Sequence, residues 1–428
     1  MPKIDASTPV VLLPAVRQGG LGIARSLGRI GVAVYAVDPG PRSPASLSRF
    51  CKGRFEWNLE AAPASESVAF LLHLANRVGG KAILIPTTDS AALFVADHAQ
   101  QLRASYLFQD QKPETAHALA NKASMFHVAR RYGIPAPETF FPQSEAGLLA
   151  FLETAAMPVV LKCLDAGRPL RRSAPAVQIA HSRAEAQDMY SRMQDPEVPN
   201  LVLQEYIPGG DDTIWMFNGY FNRDSQCLFG GTGKKLRQCP VYTGATCLGV
   251  CLENGVVVNT TLRFMKDIGY TGILDLGYRF DARDGQYKLL DVNPRIGSTF
   301  RLFVGEDGMD VARALYLDLT GQPVPASSPR YGRKWIVEDD DLLSGIRYYR
   351  DGKLKVADWL KSFHGVEETS FLSLTDPLPA AGMAISDLRR LGAKIFRRGR
   401  RPGKAPARTG RGSLRSRVMS AVKPLMEF

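Results

Sequence analysis

The sequence predicts an α/β fold, and three observations predict it. Short apolar runs alternate with helical stretches over residues 1–112, the character of the chain changes near residue 113, and an Asp-Gly turn joins two strand patterns between residues 269 and 293. The first apolar run, Val10-Val11-Leu12-Leu13, precedes Arg17-Gln18-Gly19-Gly20-Leu21-Gly22 and a helical stretch through Gly28. A second run from Val32 to Val37 ends at Asp38, and a third, Ala82-Ile83-Leu84-Ile85, leads into Pro86-Thr87-Thr88-Asp89 and another helix. Strands alternating with helices in this way predict an open parallel sheet.

That opening is Rossmann-like. Its glycines suit a tight turn, but Gly19-Gly20-x-Gly22 departs from the GxGxxG dinucleotide fingerprint. Asp38, Thr87, Thr88 and Asp89 fall at strand ends, where open α/β sheets bind ligands, so Asp89 is a candidate substrate contact. Strand-end Asp and Thr also serve as helix caps.

From residue 113 the pattern changes. Asn121-Lys122 enters a helix that ends at Arg131-Tyr132-Gly133, and two prolines in Ile134-Pro135-Ala136-Pro137 impose an extended connector. Pro158-Val159-Val160-Leu161-Lys162 reads as a buried strand carrying a lysine, which either snorkels out or meets an anion. Leu201 to Gln204 is a further strand that runs through Glu205-Tyr206-Ile207 into Pro-Gly-Gly-Asp-Asp212. Such a hinge can clasp a flat base with its backbone; it also fits an edge strand and a turn.

The hairpin carries the chemistry. Asp291, Asn293 and Arg295 alternate along the end of a strand and so leave it on one face. Taken alone, they also fit a solvated strand end with an Asn-Pro turn. The preceding strand pattern contains Asp275, and the turn Asp281-Ala-Arg-Asp284-Gly285 sets the two strands side by side. Asp275, Asp291 and Asn293 then supply oxygens for a hard cation, while Arg295 offers a fork for phosphate oxygens.

At 428 residues the chain is long enough for two or three domains, and 45% hydrophobic with 22% charged residues is ordinary globular composition. No apolar stretch has the length of a membrane span or the layout of a signal peptide, and the six cysteines form no CxxC, so reduced thiols in the cytoplasm are expected. The net charge of +12 resides in residues 389–428, which hold 13 Lys/Arg and one Glu. This tail is expected to be largely disordered. It can serve as a solubilising segment, or its last stretch can lie as a basic helix on the anionic inner face of a membrane. Nucleic acid is not expected as a partner, because the tail offers only Phe396 and Phe428 for stacking.

The order of these pieces resembles the ATP-grasp superfamily, in particular its carboxylate–amine ligases of the D-aspartate ligase and carbamoyl-phosphate-synthase-like kind. Asn121-Lys122, Gly133-Ile-Pro-Ala-Pro137, Val160-Leu-Lys162, Gln204-Glu-Tyr-Ile207, Asp275 and Asp291-Val-Asn-Pro-Arg295 carry the resemblance, which covers residues 9–320. It implies a Rossmann-like domain (1–112), an ATP-grasp domain (113–325) with a small lobe to about 205 and a large lobe beyond, a C-terminal extension (326–388) and the tail. It further implies that Lys122 and Lys162 contact ATP phosphates, that Glu205, Tyr206 and Ile207 form the adenine hinge, and that Asp212 holds ribose. Asp275, Asp291 and Asn293 would carry Mg²⁺ or Mn²⁺, and Arg295 would steady the transferred phosphoryl group. Gly297, Ser298 and Arg301 would line the pocket of a small-molecule carboxylate that is activated as an acyl phosphate and joined to an amine, with release of ADP and phosphate.

Three departures stand out: Asn121 where Asp is common, a longer hairpin turn at 281–286, and an arginine-rich loop at 165–173 in place of a glycine-rich phosphate cover. The last also motivates an alternative, a non-catalytic ATP-binding module acting as a regulator at the membrane surface. A biotin-carboxylase-like carboxylation is a minor third reading. In the extension, the acidic run Asp339-Asp340-Asp341 reads as a solvated loop or a helix start. A homodimer is compatible with the sequence.

Overall fold

A computed structural model describes residues 4–40, 42–163, 177–195 and 200–385. The arginine-rich loop and the basic tail lie outside the described residues. Five parallel strands open the chain: β1 (Val10–Leu13), β2 (Val34–Asp38), β3 (Cys51–Glu56), β4 (Ala82–Pro86) and β5 (Tyr106–Leu107), in the order β3-β2-β1-β4-β5. The strand order reverses between β1 and β4, so their C-terminal ends flank the crevice where such sheets take ligands. The helix Arg17–Gly28 follows β1 and is buried from Gln18 to Leu27. Its glycines are needed for packing: a Cβ on Gly20 would lie 2.9 Å from the Ala15 carbonyl carbon, and one on Gly22 2.9 Å from the Phe300 ring.

Residues 139–205 build a small antiparallel sheet of β6 (Thr139–Phe140), β7 (Val159–Cys163), β8 (Val177–Ala180) and β9 (Leu201–Glu205), in the order β6-β9-β7-β8. Asn121 breaks the helical run before it. Its side chain accepts from the N–H groups of Ala123 and Ser124, so it caps the helix Lys122–Arg131 as an aspartate would.

The third sheet has seven strands: β10 (Ile214–Phe221), β11 (Cys227–Cys239), β12 (Ala245–Cys251), β13 (Gly272–Asp281), β14 (Gln286–Asn293), β15 (Lys334–Ile336) and β16 (Val366–Thr369), ordered β14-β13-β10-β11-β12-β15-β16. The C-terminal segment therefore extends this sheet with β15 and β16. Every residue of β10 is buried, and its alternation serves two cores. Trp215, Phe217 and Phe221 pack with Val257, Phe264 and Met265 of the helix Gly255–Asp267. Met216 and Tyr220 face a second core that contains Leu27 and Ile85 of the first domain together with Phe300, Tyr316 and Trp335. Because this core is shared, the first domain packs on one face of the third sheet through the helices Arg17–Gly28 and Val311–Leu319. That face carries the polar residues described next. Among the described residues no helix is long and apolar enough to cross a membrane.

Candidate active site

A row of residues runs straight across three strands. Antiparallel pairing places Asn293 opposite Asp275, and Asp275 opposite Asn218 of β10. The Asn218 amide nitrogen donates to Asp275 Oδ1 at 2.7 Å, and Asn293 Nδ2 donates to Asp275 Oδ2 at 3.2 Å and to Asp291 Oδ2 at 3.4 Å. The alternation along β14 thus brings Asp291, Asn293 and Arg295 to one face, and Arg295 Nη2 donates to Asn293 Oδ1 at 3.2 Å. Part of the Asp275 side chain still meets solvent, yet the surrounding protein desolvates it and pushes its carboxyl above the usual range, opposed by the nearby charge of Arg295.

The fit of a divalent cation follows from these groups. Among the described residues no three Asp, Glu, His or Cys side chains meet as a metal cluster; the set here is two carboxylates and an amide. Such hard oxygen donors, with positions left for phosphate oxygens and water, suit Mg²⁺ or Mn²⁺. Among the described residues, the fully buried Asn218 also has an amide oxygen without a partner beside this set. Gly297 closes the site from behind, where a Cβ would lie 2.4 Å from Asp275 Cγ.

Across the cleft the small lobe contributes cations. Lys122 Nζ donates to the Cys163 carbonyl at 3.2 Å, at the end of β7, and Lys162 Nζ donates to Gln204 Oε1 at 2.6 Å. Some of Lys162 reaches solvent, but burial among protein atoms pushes its ammonium down to about 8; Asp291 opposes that shift, while Lys122, Lys235 and Arg279 reinforce it. Four cations and a carboxylate from two lobes therefore share one electrostatic neighbourhood. Lys235 in β11 was not singled out from the sequence. Burial pushes its ammonium down, opposed by Asp275, Asp211 and Asp291, and it donates to the Gly244 carbonyl at 2.9 Å. Asn218 was missed likewise. The available signal was the Gly231-x-Gly233-x-Lys235 alternation, which leaves one polar side chain on a bare strand face.

The hinge differs in detail from a bare clasp. The Glu205 side chain pairs with Arg283 and with Lys288 at 3.5 Å, and accepts from the Glu138 N–H at 3.2 Å. Arg283 and Lys288 also hold the buried Asp281, whose carboxyl they keep well below the ordinary range, with the Arg283 hydrogen bond the largest cause. The longer hairpin turn is thus the strut that fixes the hinge. Ile207 is buried, and Arg279 lies over the Tyr206 ring at 5.5 Å, its buried Nε without a partner among the described residues. Asp212 is exposed; its neighbour Asp211 is the anchored residue, accepting from Gln238 Nε2 at 2.8 Å and from the Tyr348 hydroxyl.

The first domain reaches this site through Asp89, which accepts from Arg295 Nε at 2.7 Å and Nη2 at 3.4 Å. Ser298 packs against Gly19, where a Cβ would lie 3.4 Å from the Ser298 Cα. The structure places Arg301 away from the pocket that the resemblance implied for it. It is 7% exposed and bound to Asp310 and to Glu368, at 2.8 and 2.7 Å, and Glu368 is shared with the buried Arg333. Both terms of its guanidinium fork are committed to structure. The acidic run is a helix start, as read, but not a solvated one: Asp341 is 1% exposed and accepts from Arg237 at 2.7 and 3.1 Å and from Trp359 at 2.9 Å. A cavity of about 700 Å³ lies elsewhere, beside Arg25, Glu368 and Leu372, and the charges of Arg25 and Glu368 there are already paired.

A parallel sheet feeding a small and a large antiparallel lobe, with a carboxylate–amide end facing lysines, is the ATP-grasp fold. No family model matches the chain. The D-aspartate ligase of Enterococcus faecium (strain Aus0004) is 26% identical over 242 residues, which are 54% of this chain and 57% of the ligase, so the match spans little more than half of that relative. Among solved structures, the ADP complex of N5-carboxyaminoimidazole ribonucleotide synthetase superposes with a TM-score of 0.60 at 11% identity, over 78% of this chain and 82% of its own. The L-amino acid ligase from Bacillus licheniformis gives 0.54 at 15% identity, over 74% and 75%.

Proposed function

We propose that this protein is an ATP- and Mg²⁺-dependent ligase that activates a substrate carboxylate as an acyl phosphate and joins it to an amine, releasing ADP and phosphate. The observation that carries the reading is the cross-strand row of Asn218, Asp275 and Asn293 with Asp291 and Arg295 beside it, set against Lys122 and Lys162 of the other lobe. Asp275, Asp291 and Asn293 would hold the cation. When bound, it supplies charge neutralisation between nucleotide phosphates. Lys122 and Lys162 bind the phosphates, and the backbone of Glu205, Tyr206 and Ile207 reads the base, since the Glu205 carboxylate is engaged elsewhere. Asp212 remains the candidate for ribose. Arg295, forked and paired with Asp89, steadies the phosphoryl group as it moves; positioning and charge supply most of the rate in phosphoryl transfer. The substrates are a small carboxylic acid and an amine, and Gly297 and Ser298 line the acid's side of the site.

We place the enzyme in the cytoplasm, with residues 389–428 as the segment that would touch an anionic inner membrane face. The test of function is a screen of acids and amines for release of ADP and phosphate. Release that requires both an acid and an amine supports a ligase, and Asp291→Ala should abolish it. Saturable ATP binding with no ADP formed from any pair would favour a non-catalytic module.

A further inference from the structure

The C-terminal segment turns an apolar surface outward, where a surface helix ordinarily shows polar side chains. Residues 377–385 read Pro-Leu-Pro-Ala-Ala-Gly-Met-Ala-Ile, without one charged or hydrogen-bonding side chain, and are helical from 378. One side of this helix packs inward. Ala380 and Met383 lie against the main core, and a Cβ on Gly382 would lie 2.2 Å from Leu47 Cδ1. The other side exposes Leu378, Ala381, Ala384 and Ile385. The loop before the helix adds the exposed Leu372 and the fully exposed Leu374. This loop is pinned from behind: the buried Arg25 donates to the Ser370 and Phe371 carbonyls at 2.9 and 2.8 Å, and Glu338 accepts from the Leu372 N–H at 2.7 Å. Beside the leucines stand Arg29 and Arg49, both exposed and both over the Phe50 ring, at 5.7 and 5.5 Å. Arg49 donates to the Thr375 carbonyl at 3.2 Å, and Arg29 lines one hollow with Leu372 and Leu374. Neither guanidinium has a carboxylate partner among the described residues, whereas the acids of this surface are paired: Asp376 with Arg25, Glu367 with Arg330, and Glu368 with Arg301.

We propose that this surface docks the folded body on an anionic membrane, with Leu372, Leu374, Leu378 and Ile385 entering the boundary between headgroups and acyl chains. Arg29 and Arg49 bind lipid phosphates. Charge decides among the occupants that an apolar face can have. A second copy docked by two-fold symmetry sets the same face against itself, arginines toward arginines. It also gathers two tails, each with 13 Lys/Arg and one Glu in residues 389–428, which begin four residues after Ile385. An anionic bilayer attracts the arginines and the tail alike, while the leucines leave water. The inference adds a folded surface to the membrane contact proposed for residues 389–428, and it is independent of the ligase chemistry.

The test is co-sedimentation of the full chain with vesicles of phosphatidylcholine alone or of an equal mixture of phosphatidylcholine and phosphatidylglycerol. The wild type should bind the anionic vesicles and not the neutral ones. Leu374→Ser combined with Leu378→Ser should weaken that binding about tenfold or more, the worth of burying one leucine. Arg29→Gln combined with Arg49→Gln should weaken it several-fold. Both variants keep the whole tail, and every replaced side chain is exposed, so melting curves near the wild type confirm folding. In a separate variant, Leu374→Trp, fluorescence should be quenched by lipids brominated on their acyl chains. Wild-type binding that the leucine substitutions leave unchanged, with no quenching in Leu374→Trp, overturns the proposal and leaves the tail as the contact. A wild type that ignores anionic vesicles overturns both contacts. A dimer in ultracentrifugation that the leucine substitutions dissociate assigns the face to a second copy and overturns the proposal as well.

Discussion

Gly297→Ala places one methyl group where the structure has no room for it. The added carbon would lie 2.4 Å from Asp275 Cγ and 2.6 and 2.8 Å from its oxygens. Carbon–carbon contact is comfortable at roughly 3.5–4.0 Å, so Asp275 must retreat by about 1 Å. It cannot do so freely, because Asn218 at 2.7 Å and Asn293 at 3.2 Å hold both its oxygens. A misplacement of about 1 Å in a positioning group costs on the order of 100-fold in rate. Overpacking of this kind costs about 1–3 kcal/mol of stability, which the fold should survive. The expected result is a folded protein with a modestly lowered melting temperature, ATP turnover down about 100-fold and a raised Mg²⁺ requirement. A Gly297→Ala protein that keeps wild-type turnover and Mg²⁺ dependence would refute the placement of Asp275 in the cation site.

Two further outcomes follow from the same geometry. With its ammonium pushed down to about 8, free Lys162 loses its charge as pH rises through that value, so kcat/KM for ATP should fall on the alkaline side. In Lys162→Arg the charge persists and this limb should move to higher pH; an unchanged profile removes Lys162 from the phosphate site. Arg237→Ala strands the buried Asp341 carboxylate and should destabilise the protein by about 3–5 kcal/mol in urea unfolding, whereas a change below 1 kcal/mol would mean that Asp341 finds other partners.

The parts of the site legible in the sequence were those set by short-range geometry. Alternation along one strand predicts that Asp291, Asn293 and Arg295 share a face, and an Asp-Gly turn predicts a neighbour strand bearing Asp275. The alternating opening likewise announces the parallel sheet. Asn218 and Lys235 escaped because their roles depend on which strands become neighbours. Nothing in residues 214–221 says that β10 will lie beside β13 with Asn218 opposite Asp275. Arg301 escaped for the same reason: Asp310 is near in sequence, but Glu368 arrives through β16, which joins the sheet from far along the chain. The hinge reads from the sequence as a backbone clasp, and the structure adds that Arg283 of the longer hairpin turn and Lys288 of β14 engage the Glu205 side chain, which leaves the backbone for the base.

In the proposed reaction a carboxylate oxygen attacks the terminal phosphate of ATP. The test uses the carboxylic acid that supports turnover, with its carboxylate oxygens replaced by oxygen-18, turned over with ATP and an accepting amine. If the acyl phosphate forms and the amine displaces phosphate from it, the released phosphate carries one labelled oxygen. Amide formation with unlabelled phosphate would rule out an acyl phosphate.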